Sequence, residues 1–216
     1  MTDGTAILIL TAASAGFLHT ILGADHYVPF IVMARAEKWP PAKSITVTFL
    51  AGFGHILSSL AIGFMGIFLG AAATPLWPIE LMRSELALWI LISFGLVYGV
   101  WGLRQAGKKK FTKHCQKEDK KSANWVSWIL VTVLVLGPCE PLIPFLMCPA
   151  VSHSLSRIFL VAAVFGTVTL ITMMAVVFAG VWGIKFLFLG RLERYSHALA
   201  GASISACGIA VKVLGL

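Results

Sequence analysis

His19-Thr20-Ile21-Leu22-Gly23-Ala24-Asp25-His26-Tyr27-Val28-Pro29-Phe30 puts two imidazoles and a carboxylate in the middle of an apolar segment. A later stretch, Gly137-Pro138-Cys139-Glu140-Pro141-Leu142-Ile143-Pro144-Phe145, repeats its frame, so that Asp25 and Glu140 each stand four residues before a Pro-Phe pair. Read from the sequence, these are the only acidic residues inside hydrophobic segments. An ionisable side chain in hydrocarbon costs roughly 2.5 to 3.5 kcal/mol on insertion scales, which favours a functional over an incidental role. Two of them in matching positions of two half-chains point to a pathway between the halves.

The rest of the chain agrees with a membrane setting. Hydrophobic residues make up 58% of its 216 residues, charged residues only 12%, and the mean hydropathy is +0.89. That leaves too little polar surface for a soluble globule of this length, so the fold class expected is an all-α integral membrane protein. The net charge of +8 sits largely in one loop, which makes it a topology signal rather than a nucleic-acid footprint. Met1-Thr2-Asp3-Gly4 lacks the basic start of a cleavable signal, and the first apolar segment is expected to remain as a span. The four cysteines show no paired spacing and form no disulfide framework. Cys139, Cys148 and Cys207 read as small buried hydrophobes.

Apolar runs fall at about 5–34, 44–72, 86–104, 125–150, 156–183 and 195–215. Six spans of about 20 or more residues follow, enough to cross a bilayer, with the longer ones able to tilt or break. Trp39, Trp77, Trp125 and Trp128 fall at predicted span ends, where an aromatic belt would place them. Lys and Arg fix the orientation expected. With both termini outside, the inner loops collect Arg35, Lys38, Lys43, Arg104, the lysines from Lys108 to Lys121, Lys185, Arg191 and Arg194. The organisation expected is a first three-helix unit at 1–104, a basic cytoplasmic linker at 105–124 and a second three-helix unit at 125–216, in a plasma membrane of the bacterial or archaeal inner-membrane kind.

The two units resemble each other beyond the carboxylates. Ala51-Gly52-Phe53-Gly54-His55 parallels Ala163-Val164-Phe165-Gly166-Thr167, and Gly95, Gly102 and Leu103 parallel Gly208, Gly215 and Leu216. Three spans per unit, an odd number, insert the units in opposite directions. The architecture expected is therefore two inverted three-helix repeats with a shared site near the midplane, and broken helices in spans one and four.

His19, Asp25 and His26 in the first span and His55 in the second are ligand types that suit nickel, cobalt, zinc or copper. His19 and His26 lie seven residues apart, which on a regular helix separates them by roughly 10 Å. Either the helix opens at Gly23, or the two serve successive positions. Gly23 is a weak helix former and Pro29 removes the hydrogen bond to the Asp25 carbonyl, which favours the opening. Pro138, Pro141 and Pro144 interrupt the fourth span more forcefully. Irregular backbone at that depth is tolerated where it lines a polar cavity. Glu140 reads as a gate or proton-coupling group, and Cys139 as a further ligand, a redox group or filler.

His19, Gly23, Asp25 and His26 together resemble the His-x-x-x-Gly-x-Asp-His signature of the HupE/UreJ nickel permeases. They are similar, with one extra residue, to the His-x4-Asp-His signature of the NiCoT and NicO/UreH nickel–cobalt transporters. Gly54-His55 resembles the Gly-His element those families carry in the next helix, and the six-span layout resembles the LysE-type transporter superfamily. The resemblance implies that His19, Asp25, His26 and His55 handle metal. Gly137-Pro138-Cys139-Glu140-Pro141 resembles instead the Pro-Cys element of the thiol–disulfide conductors of cytochrome c biogenesis.

The function expected is secondary transport of a divalent cation, nickel or cobalt, with no permanently bound cofactor and no enzymatic activity. The metal site expected comprises His19, Asp25, His26, His55, Cys139 and Glu140. Two alternatives stand beside it: an electron conductor using Cys139, and an exporter of small anions or sulfur compounds. The partners expected are the metal ion and the lipid bilayer, without nucleic acid. Gly66 and Gly70 make a small-xxx-small pattern that fits helix packing within one subunit or in a homodimer.

Overall fold

A computed structural model describes residues 3–68, 77–108, 122–137, 154–186 and 190–214. Within them the elements are α1 (Asp3–Leu22), α2 (Val28–Ala36), α3 (Pro41–Phe68), α4 (Trp77–Lys108), α5 (Ser122–Leu136), α6 (Leu155–Phe186) and α7 (Ser196–Leu214), with 3-10 turns at Ala24–His26 and Gly190–Tyr195. No strand occurs among the described residues. Five stretches are long and apolar enough to cross a membrane: Gly4–Leu22, Pro41–Met65, Leu81–Gly107, Leu155–Gly183 and Glu193–Leu214. The expected fourth span appears as the shorter apolar helix Trp125–Leu136, and its continuation lies outside the described residues.

Local chemistry sets the helix ends. The amide of Gly23 still donates to the His19 carbonyl at 2.9 Å, but the next helical bonds are replaced by a tight turn in which His26 N–H reaches back to Gly23. Pro29 then occupies the first turn of α2, where a missing N–H costs nothing. At the far end of α2 the amides of Glu37 and Trp39 return to the Met33 and Ala34 carbonyls, and Lys38 adopts a positive φ of 50° to close the turn. Pro41 opens α3 at once.

The most extensive seam joins α4 to α7. Gly95, Gly99 and Gly102 share one face of α4, and a side chain at Gly201 of α7 would collide with the Gly99 nitrogen and the Gly95 carbonyl. Small residues let backbones approach closely where lipid gives no hydrophobic drive for helix association. Elsewhere α1 packs on α6, α5 on α3, α3 on α6, and α2 on α7. Phe30, Met33, Leu130, Met173 and Ile204 anchor the larger core, and Ala12, Ile158 and Phe165 a second core between α1 and α6. Leu10, Phe53, Leu57, Val97, Phe159 and Ile171 are exposed on the outside of the bundle. So broad an apolar exterior fits a multi-pass membrane protein.

Two expectations change. Trp39 does not belong to an aromatic belt: it is 6% exposed and packs in the core beneath Lys43, whose Nζ lies 4.9 Å from the ring. Trp125 and Trp128 do face outward. The third apolar helix also begins earlier than expected, so Arg83 and Glu85 fall inside it. Their charges are matched locally. Glu85 pairs with Lys212 of α7, and Arg83 is bonded to carbonyls of α5.

The seam predicts a sharp contrast. Gly201→Val should destabilise the folded protein by about 3 kcal/mol or more, because the obstacle is backbone that cannot move aside. Gly183→Ala, inside α6 with open space around the new methyl, should stabilise the protein by about 0.5 to 1 kcal/mol on denaturation in detergent.

Candidate metal centre

The break at Gly23 brings His26 beside His19. Their ring centroids stand 4.7 Å apart, edge to face. His55, at the middle of α3, completes the group, 5.0 Å from His26 and 6.2 Å from His19. One ring nitrogen from each lies within 4.8 Å of the others. His26 and His55 are 2% and 1% exposed. The opening that the sequence favoured is therefore present, and it gathers three of the four predicted first-half ligands around one point.

The outer hydrogen bonds decide which nitrogen faces that point. His55 Nδ1 lies 2.9 Å from the Leu134 carbonyl of α5, and His26 Nδ1 lies 3.0 Å from Asp25 Oδ1 and 3.2 Å from the Gly23 carbonyl. The Leu134 and Gly23 carbonyls can only accept, so Nδ1 donates in both rings, and in a neutral imidazole the lone pair is left on Nε2. Both Nε2 atoms are buried and have no hydrogen-bond partner among the described residues. Buried polar nitrogens without a partner are rare. A ligating histidine has this arrangement: one nitrogen anchored to a carboxylate or carbonyl, the other bare.

Asp25 stands on the anchoring side of His26, outside the group of three nitrogens. A cavity of about 20 Å³ borders its carboxylate, between Phe30, Leu91, Leu130 and Gly137. It has room for about one water. Gly23 explains the tightness of the turn: a Cβ there would sit 2.6 Å from His26 Nδ1 and 3.0 Å from the His19 carbonyl.

The second half contributes backbone. The end of α5 supplies the Leu134 carbonyl to His55 and the Val135 carbonyl to Ser58 Oγ, at 2.9 Å each. Arg83 then bonds the Val135, Leu136 and Gly137 carbonyls at 3.2, 3.0 and 2.7 Å. These carbonyls lack intrahelical partners among the described residues, at a helix C-terminus where a cation is also favoured by the helix dipole. Pro138, Cys139, Glu140, Pro141 and Pro144 lie outside the described residues, as do Cys115, Cys148, His114 and His153. Cys207 is a buried free thiol in α7. His197 joins a separate cluster in which Tyr98 O–H donates to Glu37 at 2.6 Å and lies 2.7 Å from His197 Nδ1.

Sequence reasoning missed Arg83 and the Glu37–Tyr98–His197 cluster. A lone basic residue near a span end looks like a topology marker, and Glu37, Tyr98 and His197 are too far apart in the chain to form a motif.

Metal–nitrogen bonds of about 2.0 to 2.1 Å in a tetrahedral site set nitrogens about 3.3 Å apart, so the three imidazoles would close by about 1.5 Å on a bound ion. Three histidines leave a coordination position open, as sites that exchange ligands do. No protein-family model, no curated protein and no solved structure matches this chain.

Gly23→Ala should push the His26 ring off its two acceptors. Despite the better helix propensity of alanine, the variant is expected to lose about 1 to 3 kcal/mol of stability by overpacking, measured by denaturation in detergent.

Proposed function

We propose that the chain is a secondary transporter of a divalent transition-metal cation, nickel or cobalt, working by alternating access in a bacterial or archaeal inner membrane. The observation that carries this reading is the convergence of His19, His26 and His55, with the Nε2 atoms of two of them buried and unpartnered. Imidazole nitrogens suit borderline divalent ions such as these. Their position supports transport: His55 is at the middle of a 28-residue helix and His26 follows a helix break, both features of midplane sites.

In this reading His19, His26 and His55 ligate the cargo, and Asp25 fixes the His26 tautomer and balances the charge of the ion. Glu140, three residues beyond the carbonyl held by Arg83, serves as gate or proton-coupling group. Both termini lie outside and the basic 105–124 segment lies in the cytoplasm.

Two inverted halves are supported by how the helices pair. Exchanging first, second and third spans for fourth, fifth and sixth turns the α1–α6 contact into α5–α3, while α3–α6 and α4–α7 map onto themselves; the counterpart of α2 lies outside the described residues. The glycine alignment agrees residue by residue. Gly208 stands to Gly95 in the sequence as Ser205 stands to Ile92, and Gly95 packs on Ser205 while Gly208 packs on Ile92. Ser205 Oγ also donates to the Ile92 carbonyl at 3.2 Å.

Thermal denaturation with nickel, cobalt, zinc, copper and a panel of anions tests the reading. A ligand at a hundred times its Kd stabilises the folded state by about 2.7 kcal/mol. Nickel or cobalt is expected to raise the midpoint, His26→Ala and His55→Ala to abolish the rise, and Asp25→Asn to weaken affinity about 10- to 100-fold as loss of an orienting partner does. Equal stabilisation of His26→Ala and the natural protein, or stabilisation by anions alone, would contradict it.

A further inference from the structure

Ser44, Thr48, His55 and Ser59 fall on one face of α3, within about 60° of arc at 100° per residue. All four are buried, at 2%, 0%, 1% and 0% exposure, while Phe49, Leu50, Phe53 and Leu57 of the same helix are exposed. Ala51 and Gly52 stand between Thr48 and His55, where Leu170 and Met173 of α6 pack against Gly52.

A buried helical hydroxyl ordinarily returns its proton to the carbonyl four residues back. Ser44 does so weakly, at 3.4 Å from Pro40, and Thr20 does so at 2.8 Å. Thr48 Oγ1 and Ser59 Oγ do not. Both oxygens are buried without a hydrogen-bond partner among the described residues, like the Nε2 atom of His55 between them. Each such group carries a desolvation cost that native structures seldom leave uncompensated. Three in file along one helix, from Thr48 to Ser59, cover about 16 Å of its length, roughly half the thickness of a hydrocarbon core.

We infer that this face of α3 is the wetted route by which the substrate cation reaches and leaves the histidine cluster, with Ser59 above His55 and Thr48 and Ser44 below it. The inference rests on the transporter reading for the identity of the cargo, though not for the existence of the route. Hydroxyl oxygens are neutral and replace water around a cation one at a time. They hold it less firmly than imidazole, which suits steps on either side of a binding site. Ser58, next to Ser59, has the His55 and Val135 carbonyls both within reach of its single hydroxyl proton and accepts from Arg83 at 3.2 Å. That places a fixed positive charge beside one end of the file, where it would slow entry of any cation not drawn on by the histidines beyond it.

The test is thiol labelling of full-length protein in proteoliposomes permeable on both sides, with modified peptides identified by mass. Thr48→Cys and Ser59→Cys are compared with Phe49→Cys and Leu57→Cys, which face away from the bundle. A small water-soluble reagent reacts with thiolate, so reaction reports water at the site. Thr48→Cys and Ser59→Cys are expected to react at least about tenfold faster than the two controls, with nickel or cobalt slowing them. If both react fast and no divalent metal protects them, the route stands and the metal reading is overturned. Reaction no faster than at Phe49→Cys and Leu57→Cys overturns the route, whatever the histidines bind.

Discussion

Seven residues of regular α-helix separate two side chains by about 10 Å, yet the rings of His19 and His26 stand 4.7 Å apart. Everything distinctive in this molecule depends on the way that distance is closed. The helix stops donating at Gly23, makes one 3-10 turn and restarts at Val28. Gly23 permits this because His26 folds over the place where a β-carbon would be. The turn also sets Asp25 and the Gly23 carbonyl around His26 Nδ1, so the break that brings the imidazoles together also aims them.

Polar groups in an apolar bundle are held by a few long-range bonds. Leu134 orients His55 from the other half of the chain, Arg83 gathers the last carbonyls of α5, and Glu37, Tyr98 and His197 tie α2, α4 and α7 together. The α4–α7 seam is of another kind, glycine backbone against backbone, and it has little room to slide.

Much of this was legible in the residues. Composition pointed to a membrane setting, which the long apolar helices fit, and Gly23 with Pro29 marked the opening. His19, His26 and His55 stood out because imidazole is costly in hydrocarbon. The role of Asp25 was less legible: adjacency to His26 does not tell which nitrogen its carboxylate will meet, since that depends on the dihedrals of a three-residue turn. The Leu134 carbonyl carries no sequence signal at all, because every residue has one. Arg83 and Glu85 looked too polar for a span until their tertiary partners were known. Trp39 looked like a belt residue for the same reason in reverse, its position in the chain being near an end while its ring turns inward.

The central claim is that the opened first span and α3 present three imidazole nitrogens to a single ion. X-ray absorption at the nickel edge of the loaded, full-length protein reads this directly. The account predicts three histidine imidazoles, with first-shell nitrogen at about 2.1 Å and the outer-shell scattering of the rings, reduced to two in His55→Ala. A first shell of oxygen alone, or the same spectrum in the natural protein and in His55→Ala, would contradict it.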